Sequence, residues 1–366
     1  MYTFIPEPVV GPANNEIWYT SSDENVVYLT DTSGFGVNVV SNTYENDKGV
    51  ITFDGEITCI GGAAFYYSQT LTSITIPDSV TSIRSGAFYG CSGLTSITIP
   101  DSVTSIGDGI FDGCYSLASP VYNVHCFAYM PTSYSGAYDI PEGIKQIASS
   151  AFAYCRGLTS ITIPDSVMSI GSAAFNNCTG LPVENNLRYA DTYLVEVFDK
   201  TLSTYPIKEG TKWIGGGAFS GCSKLTSIII PNSVMSITNG TFRYCPDLTS
   251  LVVEESNTVY DSRENCNAII ETATNTITTG CQNTIIPNSV TCIGDWAFYQ
   301  CSKLTSITIP NSVTGIGEHA FHDCSGLNSI TYEGTQEQWN SITKDIYWNY
   351  NVPATYVQCS DGQVEI

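Results

Sequence analysis

The chain has 366 residues, with 35 acidic and 13 basic side chains, a formal net charge of −22 and 42% hydrophobic residues. This acidic excess disfavours binding to nucleic acid or to anionic membrane surfaces, because the chain offers no positive field that would attract phosphates. The apolar and aromatic content excludes a disordered chain. The sequence contains no apolar run of about 18 residues, so we predict no helix inserted in a membrane.

The N-terminal segment lacks any repeat. Residues 14–29 and 35–55 alternate apolar and polar side chains, which is typical of β-strands and predicts a β-rich cap over residues 1–50. The start, MYTFIPEPVVGPANNE, has no basic region followed by a continuous apolar stretch. We therefore do not expect it to be a secretory signal.

From residue 51 to 332 the chain repeats a 23-residue unit, of which LTSITIPDSVTSIRSGAFYGCSG (71–93) is one copy. A period of this size predicts a solenoid of stacked coils. Longer intervals mark enlarged units near residues 115–143, 181–212 and 252–283. The unit is centred on nine phenylalanines: Phe65, Phe88, Phe111, Phe152, Phe175, Phe219, Phe242, Phe298 and Phe321.

Each unit predicts three short elements. LTSITI (71–76) alternates in the manner of a strand and contributes to a parallel β-sheet on one face of the solenoid. Pro77 ends this strand, because it cannot donate to a β-ladder. SVTSI (79–83) predicts a second short strand, and GAFYGCSG (86–93) a single helical turn that buries its phenylalanine and cysteine.

The pattern L-x-x-I-x-I-P-x-S-V-x-x-I-G-x-x-A-F-x-x-C, seen in residues 94–114 and 304–324, resembles the BspA-type leucine-rich repeat. The resemblance covers residues 51–332 and implies a curved leucine-rich-repeat solenoid without catalysis. Members of this class are common among secreted and surface proteins of gut and oral anaerobic bacteria. The resemblance therefore implies an extracellular or cell-surface location and adhesion to extracellular proteins or glycans of host or neighbouring cells.

The cysteines follow the repeat. No two are spaced as C-x-x-C and the chain has three histidines, which disfavours a zinc site. A cysteine at one position in every coil predicts a buried column of small apolar thiols; the other six cysteines show no regular spacing. The eight in the column are Cys91, Cys114, Cys155, Cys178, Cys222, Cys245, Cys301 and Cys324.

The outward positions of the main strands are candidate binding residues. Ser and Thr recur there and predict a flat, weakly polar face suited to many small contacts with a protein partner. The alternative is that Ser and Thr are simply good solvent-facing strand residues. The set comprises Ser73, Thr75, Ser96, Thr98, Ser160, Thr162, Ser306, Thr308, Ser329 and Thr331.

The first enlarged unit offers a second candidate. Its aromatic residues include Tyr122, Tyr129, Tyr134 and Tyr138, and exposed aromatic side chains are common binding anchors. The alternative is an irregular coil whose aromatics fill the core. The other two enlarged units predict strand–turn–strand elaborations.

The residues after 332 predict a C-terminal cap of mixed structure over 333–366. TQEQWNSIT (335–343) predicts a short helix with Thr335 as N-cap and Gln338 completing a capping box. Residues 354–366 predict a hairpin about Asp361-Gly362. Trp339 and Trp348 are expected to cover the last coil.

No motif of a hydrolase, metalloprotease or nucleotide-binding enzyme occurs in the chain. We therefore expect no enzymatic activity, no cofactor and no metal site. The favoured function is adhesion through the solenoid surface. The alternatives are a structural spacer that displays another module and, more remotely, a carbohydrate-active enzyme with a carboxylate pair.

Overall fold

The computed structural model describes residues 11–366. The chain divides into two compact units, the first ending at Leu181 and the second running from Pro182 to Ile366. Each unit is a β-solenoid, and the chain carries about 13 coils at a spacing of about 23 residues. The predicted leucine-rich-repeat solenoid is confirmed. Residues 1–10 of the predicted N-terminal cap lie outside the described residues.

The first unit contains fourteen strands and a 3₁₀ turn at Ser33–Phe35. The strands are β1 Glu16–Ser21, β2 Val39–Glu45, β3 Lys48–Phe53, β4 Cys59–Ile60, β5 Leu71–Thr75, β6 Ser82–Ile83, β7 Ser96–Thr98, β8 Ser105–Ile106, β9 Val121–Tyr122, β10 Cys126–Tyr129, β11 Ser135–Asp139, β12 Gln146–Ile147, β13 Gly157–Thr162 and β14 Ser169–Ile170.

The second unit contains seventeen strands, one α-helix, α1 (Gln336–Ser341), and a 3₁₀ turn at Arg263–Asn265. The strands are β15 Val183–Glu184, β16 Leu187–Ala190, β17 Tyr193–Val197, β18 Trp213–Ile214, β19 Ser227–Ile230, β20 Ser236–Ile237, β21 Ser250–Val253, β22 Tyr260–Asp261, β23 Ala268–Glu271, β24 Thr276–Gly280, β25 Cys292–Ile293, β26 Ser306–Ile309, β27 Gly315–Ile316, β28 Ser329–Tyr332, β29 Thr343–Lys344, β30 Tyr356–Cys359 and β31 Gly362–Glu365.

Successive coils are joined by parallel ladders one repeat apart. The LTSITI strands pair in register, so that in β5 and β7 Ser73 faces Ser96 and Thr75 faces Thr98. The second strand of each coil forms its own parallel ladder, as β6 does with β8. Most inward residues of both ladders are buried aliphatic side chains, such as Ile74 and Ile83. Parallel strands buried in this way require neighbours on both sides, which tandem copies supply.

The segment around each repeat phenylalanine forms a third row, which we call the turn row. In the coil of Phe88, three alternate N–H groups donate to carbonyls of the next coil, from Gly86 to Asp108 (2.9 Å), from Phe88 to Ile110 (3.1 Å) and from Gly90 to Asp112 (2.7 Å). The N–H groups between them donate three residues back within the coil. The prediction of a single helical turn is wrong, because Gly86 and Gly90 have φ of 66° and 72°. Left-handed residues four apart break the i to i−4 pattern of a helix.

The phenylalanines of the turn row stack inside each unit. Ring centroids are 5.3 Å apart for Phe65 and Phe88, and 5.6 Å apart for Phe88 and Phe111. In the second unit Phe298 and Phe321 are 4.9 Å apart. These rings are buried and together form the centre of the core. Offset stacking adds to the stabilisation that burial provides.

The ends of the chain follow the sequence expectations in part. β1 pairs antiparallel with β5 and with β3, so the N-terminal strands extend the first sheet of the first unit. At the other end, Thr335 and Gln338 form the predicted capping box of α1. β30 and β31 pair as the predicted hairpin. Trp339 and Trp348 are buried against the final coil.

The cysteine column is confirmed as predominantly buried, and all 14 cysteines are free thiols. Six of the eight column members are buried, whereas Cys245 and Cys301 are partly exposed. Several thiols donate to the carbonyl of the phenylalanine one coil earlier, as Cys91 Sγ does to Phe65 O at 3.0 Å and Cys324 Sγ to Phe298 O at 3.0 Å. The thiol therefore bridges neighbouring coils.

Truncation of a stacked phenylalanine tests the shared core. Phe88→Ala should lower the free energy of unfolding by about 3–5 kcal/mol, because it removes a fully buried ring between two others. Chemical denaturation followed by circular dichroism measures this change. Tyr115→Ala is the control; its side chain is 77% exposed and its loss should change stability by less than about 0.5 kcal/mol. Equal effects of the two substitutions would contradict the stacked core.

The thiols should resist modification in the folded protein. Burial raises the pKa of Cys155 and Cys324 to about 12, so at pH 8 the reactive thiolate is disfavoured. Reaction with Ellman's reagent at pH 8 should leave these two thiols unmodified, and all 14 thiols should react after unfolding in guanidinium. Rapid native modification of the column, located by mass spectrometry, would show that the thiols are accessible.

Candidate binding surfaces

The predicted Ser/Thr residues lie on the outer face of the main ladders. In the first unit Ser96, Thr98, Ser160 and Thr162 are exposed. In the second unit Ser306 faces Ser329 and Thr308 faces Thr331 across β26 and β28. Within these sheets the Ser and Thr residues therefore form columns, with hydroxyl groups at the same position on adjacent coils.

These columns are not continuous along the chain. β13 pairs with β11, which places Ala137 beside Ser160 and Asp139 beside Thr162. At the start of the first sheet the cap strand β1 lies beside β5, and Thr20 Oγ1 is 2.6 Å from Ser73 Oγ. Ser73 is consequently tied to the cap and is less available to a partner than Ser96.

The second unit has an apolar interruption of the same face. Ile229 faces Val252 across β19 and β21, and both side chains are exposed. The outer face is thus a set of short hydroxyl patches separated by other side chains.

The tyrosines of the first enlarged unit do not form one exposed cluster. Tyr122 is 45% exposed and stacks on Phe127 at 5.6 Å. Tyr129 is buried, and its hydroxyl donates to Cys114 O at 3.3 Å. Tyr138 packs edge-on against Phe127 at 5.7 Å, and Tyr134 packs against Tyr138 at 5.5 Å. Of the four tyrosines, Tyr129 is buried, Tyr134 and Tyr138 are partly exposed, and Tyr122 is exposed.

The turn row carries exposed aromatic groups that the sequence interpretation missed. In the first unit Tyr66 stacks on Tyr89 with ring centroids 5.0 Å apart, and Tyr67 contacts Tyr89 edge-on at 5.6 Å. Tyr67 adopts a left-handed φ of 57°, which is strained for a bulky residue. An alignment of the coils on the repeat phenylalanine would have revealed these aromatics at neighbouring positions.

A cavity of about 470 Å³ opens beside these tyrosines. Five tyrosines and one carboxylate line it together with smaller polar residues: Tyr67, Tyr89, Tyr115, Tyr129, Tyr154 and Asp112. Burial raises the pKa of the Asp112 carboxyl. Two-carboxylate glycoside hydrolysis needs a second acid about 5–10 Å away, and Asp112 is the only acid that lines this cavity.

A second cavity of about 450 Å³ lies in the second unit. It also contains one lining carboxylate, Asp323, together with Tyr244, Gln300, Asn351, three serines and a proline. Asn351 Nδ2 donates to Asp323 Oδ1 at 2.9 Å, and this hydrogen bond lowers the pKa of the Asp323 carboxyl. The side chain is therefore a carboxylate at neutral pH.

Within residues 11–366, no group of three or more His, Cys, Asp or Glu side chains is arranged to hold a metal ion. In the described part of the chain, no helix has the length and apolar character needed to cross a membrane.

Comparison with known proteins identifies the repeat. The family model described as a BspA type leucine rich repeat region (6 copies) matches residues 41–126, 122–194, 145–271 and 269–352. Among curated proteins, none matches this chain significantly.

Several solved structures are similar to the chain. A leucine rich cell surface protein from Faecalibacterium prausnitzii is 25% identical in sequence to this chain, with a TM-score of 0.34. The similarity covers 93% of this chain and 99% of the Faecalibacterium chain. A leucine-rich repeat protein from Bacteroides ovatus is 22% identical, with 92% and 89% of the two chains covered and a TM-score of 0.29. The pneumococcal vaccine antigen PcpA is 16% identical, with 80% and 61% covered and a TM-score of 0.28.

The family match and the stacked coils agree on the unit of construction. The matched ranges run from residue 41 to residue 352, and the parallel ladders within them recur at the same repeat spacing. The chain belongs to the BspA-type leucine-rich repeat family.

Proposed function

We propose that this protein is a non-catalytic binding protein, secreted or displayed at a cell surface, which adheres to extracellular macromolecules of host or neighbouring cells. The observation that supports this proposal is the in-register repetition of exposed hydroxyl side chains on the main ladders. Each hydroxyl patch presents the same small polar contacts on adjacent coils. The family is one of non-enzymatic repeat proteins, and the Faecalibacterium structure is described as a cell surface protein.

The chemistry of the two cavities described above supports binding over catalysis. Each of these two is lined by one carboxylate, whereas a third cavity, of about 450 Å³, is lined by two, Glu209 and Glu254. The column thiols are held protonated by burial, which disfavours their use as nucleophiles. Neither cavity therefore brings together the acid–base pair or activated nucleophile that group transfer requires.

Charge on the hydroxyl face should weaken adhesion. The test compares the wild type, Ser96→Lys/Thr98→Lys, and Ser306→Lys/Thr308→Lys for binding to immobilised extracellular-matrix proteins by biolayer interferometry. We expect wild-type binding at micromolar concentration and at least a roughly tenfold loss in one face variant, equivalent to about 1.4 kcal/mol. Lysines placed in the contact are expected to leave desolvated charges unpaired.

The matched control is Thr104→Lys/Ser105→Lys. It makes the same change of charge in the coil of Ser96, at two exposed positions outside the main ladder. Control binding should equal the wild type. Absence of binding by the wild type at micromolar concentration would contradict the adhesion proposal. Unchanged binding by both face variants would instead favour a spacer whose hydroxyl face contacts nothing.

A further inference from the structure

The second unit carries a set of six stacked rings on its turn row, which we call the aromatic plate. It consists of two columns across three coils. In one column the ring centroids of Trp296 and His319 are 4.4 Å apart and those of His319 and Tyr347 5.6 Å apart. In the other, Tyr299 and His322 are 5.2 Å apart, and His322 and Tyr350 are 4.7 Å apart.

The two columns also touch each other on every coil. The rings are 4.7 Å apart for Trp296 and Tyr299, 4.8 Å apart for His319 and His322, and 6.1 Å apart for Tyr347 and Tyr350. The last two rings are each more than half exposed. The six rings of the plate therefore form one continuous patch, and the rings of its last coil, Tyr347 and Tyr350, are exposed to solvent.

Three of these rings occupy backbone positions that suit glycine. Trp296, His319 and Tyr347 have φ of 61°, 53° and 55°. Gly217 and Gly240 hold the corresponding place, two residues before the phenylalanine, in earlier coils of the same unit. A bulky residue in this region is strained, and such strain tends to persist at functional sites. The turn itself gives no reason for aromatic residues at these positions.

An arginine closes one end of the plate. The Arg243 guanidinium lies 4.6 Å from the Trp296 ring centroid and 5.3 Å from that of Tyr299. Its side chain passes over Gly240, where a Cβ atom would clash with Arg243 Nε. Glycine at this position leaves room for the arginine to reach the plate.

Unpartnered polar atoms gather at the same place. Among the described residues, five buried side-chain N or O atoms have no hydrogen-bond partner, and four of them belong to Arg243 (Nε), Gln300 (Oε1), His319 (Nδ1) and His322 (Nδ1). His322 Nδ1 lies 3.3 Å from Asp323 Oδ2 and interacts with this carboxylate, so Arg243 Nε, Gln300 Oε1 and His319 Nδ1 are the three atoms of the group that lack a partner. Buried polar groups are normally satisfied, so a cluster of exceptions indicates a ligand position.

The second cavity borders this cluster. Gln300 and Asp323 line it, as do Tyr244 and Asn351, which follow Arg243 and Tyr350 in the chain. The cavity of about 450 Å³ is thus lined by the Gln300 amide, the Asp323 carboxylate and the Tyr244 ring, and Arg243 and the rings of the plate occupy neighbouring positions on the same turns. Small-ligand sites typically have this composition of aromatic walls with a few convergent polar groups.

We propose that the aromatic plate and its cavity bind a neutral pyranose residue of a glycan. This inference rests on the proposed adhesive function and names the ligand class for one site. A sugar hydroxyl can donate to Gln300 Oε1 and accept from Arg243 Nε, since hydroxyls do both. The apolar face of the sugar ring matches the aromatic surface. The Asp323 carboxylate and the net charge of −22 disfavour an acidic glycan.

The experiment measures saturation-transfer-difference NMR and calorimetric binding of the full chain. The neutral probes are hexaoses of β-1,4-glucan, α-1,4-glucan, β-1,4-mannan and β-1,4-xylan. The other probes are hexagalacturonate and a tryptic digest of casein. We expect at least one neutral hexaose to bind, with transfer to its ring protons, and the two remaining probes to show no binding.

Three variants locate the site. Trp296→Gly should weaken binding at least tenfold while keeping the melting temperature within a few degrees, because glycine accepts the left-handed backbone. Gln300→Leu removes the unpartnered acceptor and should weaken binding at least fivefold. Tyr350→Ala removes an exposed ring and should also weaken binding at least fivefold, without disturbing the packing of the core. Tyr66→Ala, in the tyrosine stack of the first unit, is the matched control and should bind as the wild type does.

Failure of all neutral hexaoses to bind would overturn this inference and leave the matrix-binding test of the hydroxyl face untouched. Binding that is insensitive to all three variants would place the sugar elsewhere and would also overturn it. Binding of hexagalacturonate or of casein peptides that is lost in Trp296→Gly, without binding of a neutral hexaose, would reassign the plate to an acidic glycan or a peptide.

Discussion

In each unit, alternate N–H groups of the turn row donate to carbonyls of the following coil, and the other features of the coil depend on this bond. The bonds between Phe88 and Ile110 and between Phe298 and Ala320 are examples, at 3.1 and 2.8 Å. They hold successive phenylalanines within stacking distance and bring several column thiols, such as Cys114, to the phenylalanine carbonyl one coil earlier. A single coil of this length has no partner for these groups, so the fold exists only as a stack.

The same bond constrains the backbone at two positions in every coil that carries a repeat phenylalanine. The residues two before and two after the phenylalanine adopt left-handed φ, as Gly86 and Gly90 do. Glycine meets this requirement without strain, whereas Tyr67 and Trp296 meet it at a cost of about 1–3 kcal/mol each. Side chains at these positions point away from the core. The positions where the backbone is most demanding are therefore also positions where a coil can display a binding group.

The division between inner and outer positions also supports the proposed binding function. Inner positions are committed to the stack, and the buried thiols and rings there have no access to a substrate. Outer positions are independent of one another, so neighbouring coils can present serine on a ladder and tyrosine on the turn row. Such a surface is extended and made of many small contributions, which suits recognition better than group transfer, where several groups must converge on one atom.

Much of the architecture could be predicted from the sequence alone, because the same local pattern of side chains recurs in every coil. The strand LTSITI, the stop at Pro77, the thiol column and the capping box of Thr335 and Gln338 all follow from local patterns. The helical turn at residues 86–93 was predicted wrongly, since the acceptors that the turn row uses lie one coil away and have no local signature. The hydroxyl columns were visible as an alternation, but the placement of Thr20 against Ser73 was not.

The sequence by itself determined the period, the inward-facing residues and the family, because these depend on side-chain type and spacing. Only the tertiary structure decided which outward side chains become neighbours. Trp296, His319 and Tyr347 are 23 to 51 residues apart in the chain, yet parallel stacking places them in one column. Contacts of this kind arise from the register between coils, which is set by hydrogen bonds across the stack and not by any segment on its own.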